Sequence, residues 1–167
     1  MRRLAGLLLG LLLLWPGVSG CSPEPVIQKV APRPANTLVK LPDGSVVHAE
    51  LAVTEAEREY GLMDRTSLPQ GRGMLFVHDE PGRYPYWMYH CKIGLDILWM
   101  DEAHKIVEMS ADTPPCKGKA WSCPSYGGRE ISKYVLELPE GSIGEHDLTL
   151  GQVVDFTIKQ ASAERKK

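Results

Sequence analysis

The chain predicts a mainly β protein, a single β-sandwich or barrel domain with one short helix, and three observations lead there. Its 167 residues hold 13 prolines and 16 glycines, which punctuate the sequence into many short elements. About eight stretches have strand character, at the spacing usual for sandwiches and barrels. Only the stretch that opens at Thr54 carries a helix-start signature.

The elements follow in order. Residues 37–41 and 45–53 are two strands joined at the turn Pro42-Asp43-Gly44. In the second, Val47, Ala49, Leu51 and Val53 alternate with Val46, His48 and Glu50, so one face turns inward. Thr54-Glu55-Ala56-Glu57 has the form of a capping box. The helix behind it carries Ala56, Tyr60 and Met63 on one side and Arg58 on another, and Gly61 ends it. Strands are expected over 74–78 and 84–90. Residues 95–100 and 105–110 form a hairpin about a turn at 101–104. A long loop covers 112–129, with Pro114, Pro115, Pro124, Gly127 and Gly128. A strand over 133–138 is stopped by Pro139-Glu140-Gly141, and 151–159 is the last strand.

The N-terminus predicts where the domain works. Arg2 and Arg3 precede an apolar run over 4–15, too short to span a bilayer, and Val18-Ser19-Gly20-Cys21 closes it as a lipobox. The expected organisation is a signal peptide over 1–20, a lipidated Cys21 with a proline-rich tether over 21–36, the domain over 37–160 and a charged tail over 161–167. Pro23, Pro25, Pro32 and Pro34 make the tether a semi-rigid spacer that lifts the domain off the lipid. Two or more acyl chains on Cys21 would anchor it stably to a membrane, on the extracytoplasmic side. Ser22 does not retain it at an inner membrane, so an envelope with two membranes would place it at the outer one.

Charge and cysteines narrow the function further. The formal charge is −2, and loss of Arg2 and Arg3 with the leader takes it to −4. The cationic run Arg165-Lys166-Lys167 is a frayed end, so nucleic acid is not an expected partner. An exported domain favours disulfides, and Cys116 and Cys123 flank one loop, so they are the expected pair. Cys91 is then odd. It is either a small buried hydrophobe or part of a metal site with His90 and a loop cysteine, but no close Cys or His pair supports a metal. No Cys-x-x-Cys argues for redox catalysis, and no cofactor is expected.

No nucleophile elbow, phosphate-cradling loop or HExxH stands in the sequence. Candidate site residues come from polar groups in apolar strands. Asp96 shares a strand face with Leu98 and Met100, so its carboxylate must be paired or protonated, and Arg58 or Arg65 is the expected partner. Glu137 beside Val135 poses the same question, with solvent exposure as its plainer answer. His78 falls on the face of Met74 and Phe76, and His48 on a polar face, both as ordinary histidines. Tyr84, Tyr86, Trp87 and Tyr89 form either a stacking platform or core packing, with Trp87 expected in the core.

Five motifs in order resemble the DUF192 family. They are Gly61-Leu62-Met63 with Arg65, Gly73-Met74-Leu75-Phe76, Trp87-Met88, Leu95-Asp96-Ile97 and Tyr134-Val135-Leu136-Glu137-Leu138, with Cys123-Pro124 and Tyr126 besides. The resemblance covers about residues 38–158. It implies a jelly-roll-like sandwich and fits an exported protein, and it brings no established activity. Tyr89, His90 and Cys91 stand where the family has Lys-Asn-Thr, Gly94 where a proline is common and His104 where a glycine is common. No role tied to that lysine or asparagine therefore transfers.

Two functions compete. The preferred one is a non-enzymatic envelope lipoprotein whose domain binds a small ligand or an envelope protein through Arg58, Arg65, Trp87, Asp96 and Glu137. The alternative is a small hydrolase or isomerase using Asp96 or Glu137 as acid and base with arginine support. It requires both carboxyls in one concave pocket. An accessory protein with no ligand is the third reading.

Overall fold

The computed structural model describes residues 24–31, 34–35 and 37–158. The expected leader, Cys21 and the 161–167 tail lie outside the described residues.

The strands are β1 (Thr37–Lys40), β2 (Val46–Ala52), β3 (Arg72–Gly82), β4 (Tyr86–Trp87), β5 (Leu95–Met100), β6 (Ile106–Thr113), β7 (Ser125–Tyr126), β8 (Ser132–Pro139) and β9 (Asp155–Phe156). Helix α1 (Glu55–Tyr60) lies between β2 and β3, and α2 (Ser142–Glu145) follows β8. Seven strands form one sheet in the order β6-β5-β8-β3-β2-β1-β9, while β4 and β7 make a separate two-stranded ribbon. β2 and β3 run parallel, as the intervening helix requires, and the other neighbours are antiparallel.

The sheet curls until its ends meet. Asp155 and Phe156 pair with β1, while the Val154 amide donates to His104 and Ile106 exchanges hydrogen bonds with Gly151 and Gln152. One segment thus bridges both edges, pairing part of the backbone of each.

Period-two alternation then sorts the side chains into two cores. Across the sheet, Leu51, Leu75, Leu136 and Leu98 stand in register and point one way. With Val39, Ile106, Leu148, Val154 and Phe156 they fill the concave side, since residues from both closing edges share this cluster. One residue along each strand, Ala52, Phe76, Val135 and Trp99 stand in register and point outward. They are buried as well, beneath Leu62, Met88 and Cys91 and partly buried groups that include Leu68, Tyr86 and Tyr126. The convex face is therefore roofed by loops and the small ribbon.

The mainly β class, the capping box on Thr54 and Glu57 and the hairpin of β5 and β6 are present as read from sequence. The departures have local causes. The 84–90 strand shrinks to Tyr86–Trp87, and Met88 and Cys91 then turn on the Met88 carbonyl, which accepts from the amides of Cys91 and Cys116. Trp87 is only half buried, and Tyr86 and Met88 enter the core instead. The 112–129 loop contains a 3-10 turn (Ala120–Ser122) and β7, and Cys116 is bonded to Cys123. Helix α2 has a single turn, too short for an apolar period to announce it.

Candidate functional site

The convex face carries a polar row that the sequence alone did not assemble. Glu50 on β2, Met74 on β3, Glu137 on β8 and Ile97 on β5 stand side by side in register. Two carboxylates are thus set among apolar neighbours, and each is handled differently.

Glu50 is paired. Arg65, in the turn after α1, places Nη1 and Nη2 each 2.8 Å from one of its carboxylate oxygens. This forked geometry is the strong form of the interaction. It fixes the 62–68 segment over the sheet and answers the burial of Glu50.

Glu137 has no such partner. It is 5 % exposed, and its buried Oε2 has no hydrogen-bond partner among the described residues. Burial alone pushes its carboxyl up to about 8, so it is protonated at neutral pH. The nearby Cys91 thiol is pushed up to about 12, by burial first and by the charge of Glu137 next. Such a thiol is not a nucleophile near neutral pH. The Cys116–Cys123 bond also withholds both loop thiolates from any site with His90 and Cys91.

A histidine and two tyrosines continue the roof. His78 stacks on Tyr84 with ring centres 3.4 Å apart, and its Nε2 shares a hydrogen bond of 3.2 Å with the Tyr86 hydroxyl. Burial, assisted by the Arg58 guanidinium, lowers its pKa to about 4. Arg58 itself is engaged with backbone. Its Nη1 donates to the carbonyls of Val53 (2.6 Å) and Val77 (2.9 Å), and Nη2 reaches Asp79 at 3.4 Å. It ties α1 to the end of β2 and the middle of β3.

Asp96 lies apart from Glu137, on the concave face. It is paired with neither arginine: Oδ1 accepts from the Asp112 amide (2.7 Å) and Oδ2 from the Ile143 amide (2.6 Å). Fully buried, Asp96 has both oxygens satisfied, one by an amide of β6 and one by an amide of α2. The expected arginine partner for Asp96 is thus replaced by two backbone amides, and the expected convergence of Asp96 with Glu137 does not occur.

Trp87 lies with open chemistry around it. Its ring centre is 5.1 Å from that of Tyr89, which in turn meets His90 edge-on at 4.1 Å. Tyr89 and His90 open onto a cleft of about 210 Å³ with Tyr60, Met63 and Asp64. Its other wall is Pro25, Ile27 and Lys29, so this part of the spacer lies along the domain rather than standing away from it. Glu24 secures the path: its Oε2 accepts from the Tyr89 hydroxyl (3.2 Å) and the Ala120 amide (3.4 Å).

Of the candidate residues, the structure brings Arg65 and Glu137 to one face and Trp87 to the adjoining surface, while Arg58 and Asp96 serve the scaffold. Sequence reasoning missed Glu50, Tyr60, Asp64 and Glu24. Glu50 could have been found from the parallel β2–β3 pairing, which sets it beside Met74. The others belong to irregular segments whose contacts leave no periodic trace.

Comparison with known proteins assigns the chain a family. No curated relative matches the sequence. A Novosphingobium aromaticivorans protein of unknown function is similar over 80 % of this chain and 94 % of its own, at 26 % identity and a TM-score of 0.63. A Sinorhizobium meliloti protein, described as a proposed transcription regulator, is similar over 72 % of this chain and 91 % of its own, at 26 % identity and a TM-score of 0.61. The DUF192 profile, described as an uncharacterised ACR, matches residues 38–156. The match spans both cores and the cleft-bearing roof, and on it the chain belongs to the DUF192 family.

Proposed function

We propose that this protein is a lipid-anchored envelope protein whose domain binds a small ligand or a protein partner at the membrane surface, without catalysis. The observation that carries the reading is the separation of two of its buried carboxyls. Asp96 points to the concave core and is held by two amides, and Glu137 points to the convex core and is sealed. The two-carboxyl acid–base mechanism weighed above needs both within reach of one substrate.

The surface offered for recognition is Trp87, Tyr89 and His90 with the cleft beside them. Aromatic faces next to an acid and a base suit partners with both apolar and polar parts. The cleft, at about 210 Å³, is smaller than a drug-sized pocket and suits one side chain or a small head group. The lipobox ending at Cys21 supports the membrane address.

Recovery of the lipidated protein from its native envelope, with whatever it holds, tests this. Trp87→Ala and Tyr89→Ala should each lose a companion that wild type and the distant exposed variant Leu150→Ala retain. Identical companions in all four would overturn the assignment of this surface.

A further inference from the structure

One exposed group has no role in either core. Trp121 is 79 % exposed at the tip of the loop closed by Cys116 and Cys123. Lys117 and Lys119 are exposed on the same loop, and no Asp or Glu stands between Thr113 and Gly128. An indole with one apolar body and one N–H donor is at home where hydrocarbon meets water, and lysines beside it favour anionic head groups. By itself this would describe many surfaces.

The path of the chain supplies the second observation. Glu24 is fastened to the amide of Ala120, the residue next to Trp121, and to the hydroxyl of Tyr89. Cys21 is three residues earlier in the sequence. Three residues span at most about 11 Å. An acyl group on Cys21 would therefore enter the bilayer beside this loop. Val26, 96 % exposed, belongs to the same stretch of chain.

We infer that the Cys116–Cys123 loop is a membrane-contact element, with Trp121 seated among the lipid head groups next to the anchor. This rests on the lipidation of Cys21 proposed above. The disulfide and the Ala120 contact hold the loop in place, so little ordering is required when it meets the surface. The domain then has one orientation on the membrane, with the Trp87–Tyr89 surface close to the lipid.

The test uses the full lipidated chain in vesicles of phosphatidylethanolamine and phosphatidylglycerol, with spin labels placed either shallow or deep on the acyl chains. Tryptophan emission should be quenched by the shallow label more than by the deep one. Trp121→Phe should lose most of that quenching, and Lys117→Glu with Lys119→Glu should reduce it. In parallel, palmitate labelling and vesicle flotation are compared between wild type and Cys21→Ser. If the protein is labelled at Cys21 and floats, but Trp121→Phe leaves the quenching unchanged, the contact is overturned and the anchor stands. If Cys21 takes no label, the anchor is overturned and the contact falls with it.

Discussion

The concave and convex cores are built from the same strands by opposite means. The concave core is built on the apolar register row Leu51, Leu75, Leu136 and Leu98, and its one buried carboxyl, Asp96, is answered by two backbone amides. The convex core packs Phe76 and Trp99 just as deeply, yet shares its face with Glu50, Glu137, His78 and Tyr86. Strands roof the first by curling onto themselves. Loops roof the second, and loops bring polar groups that must be answered one at a time. A closed sheet suffices for a fold, and the burial of carboxylates on its other side is where this protein holds its chemical potential for change.

Neighbouring residues on β8 can break the comparison most sharply. Leu136 faces the concave core and is fully buried. Leu136→Ala should cost about 4 kcal/mol, seen as a lower denaturation midpoint with hydrogen exchange speeding up across the whole sheet. If only the 62–68 and 116–131 segments loosened, the two cores would not be distinct in the way described.

Arg65→Ala comes next. It strands Glu50 among apolar groups and should cost about 3 kcal/mol. Replacing both, as Glu50→Leu with Arg65→Leu, should recover most of that loss in urea unfolding. A double variant as unstable as the single one would mean that the pair does more than neutralise a buried charge.

Removing the disulfide acts on the roof alone. Cys116→Ser with Cys123→Ser should cost about 2–3 kcal/mol by loop-closure entropy. Exchange should rise between 112 and 131 while the concave core stays protected. Gly127 marks why the segment is sensitive: it has φ of +63°, and a side chain there would collide with the Trp99 ring.

The smallest effect has the clearest sign. Glu137 titrates near 8 when folded against an ordinary 4.5, so the folded state holds its proton longer and stability falls as pH rises through that window. His78 titrates near 4 against 6.5, so its contribution rises with pH from 4 to 6.5 and opposes the first. Above pH 6.5 only the Glu137 effect persists, at about 2 kcal/mol lost by pH 8. Glu137→Gln should flatten that decline in thermal melts recorded from pH 6.5 to 8.5. A decline unchanged in the variant would remove Glu137 as its source.

These contrasts also explain what the sequence made legible. Alternation along 46–53 and 95–100 reports directly on which side chains face the concave core, because a strand repeats every two residues. The same alternation misassigns Glu50, whose face looks solvent-bound until a loop from elsewhere covers it. Thr54 and Glu57 were readable because a capping box is local in sequence. The apolar strand around Asp96 shows that it needs a partner, but backbone amides satisfy it, and backbone partners have no sequence signature. The proposed recognition surface is half visible in the sequence: Trp87 and Tyr89 stand in an aromatic run, while Asp64 and Glu24 reach them only through the path of irregular chain.

The strand that seals the sheet has a consequence for biogenesis. Residues 151–156 join β1, the first strand, to the turn before β6, so the cylinder stays open until they arrive. A chain threaded through a membrane from its N-terminus would present Cys21 for acylation well before this closure. Its final pairing would bridge more than 100 residues of sequence, a slow, long-range event. Under the proposed lipidation of Cys21, tethering would precede completion of the cylinder, and the chain would close while already held at the bilayer.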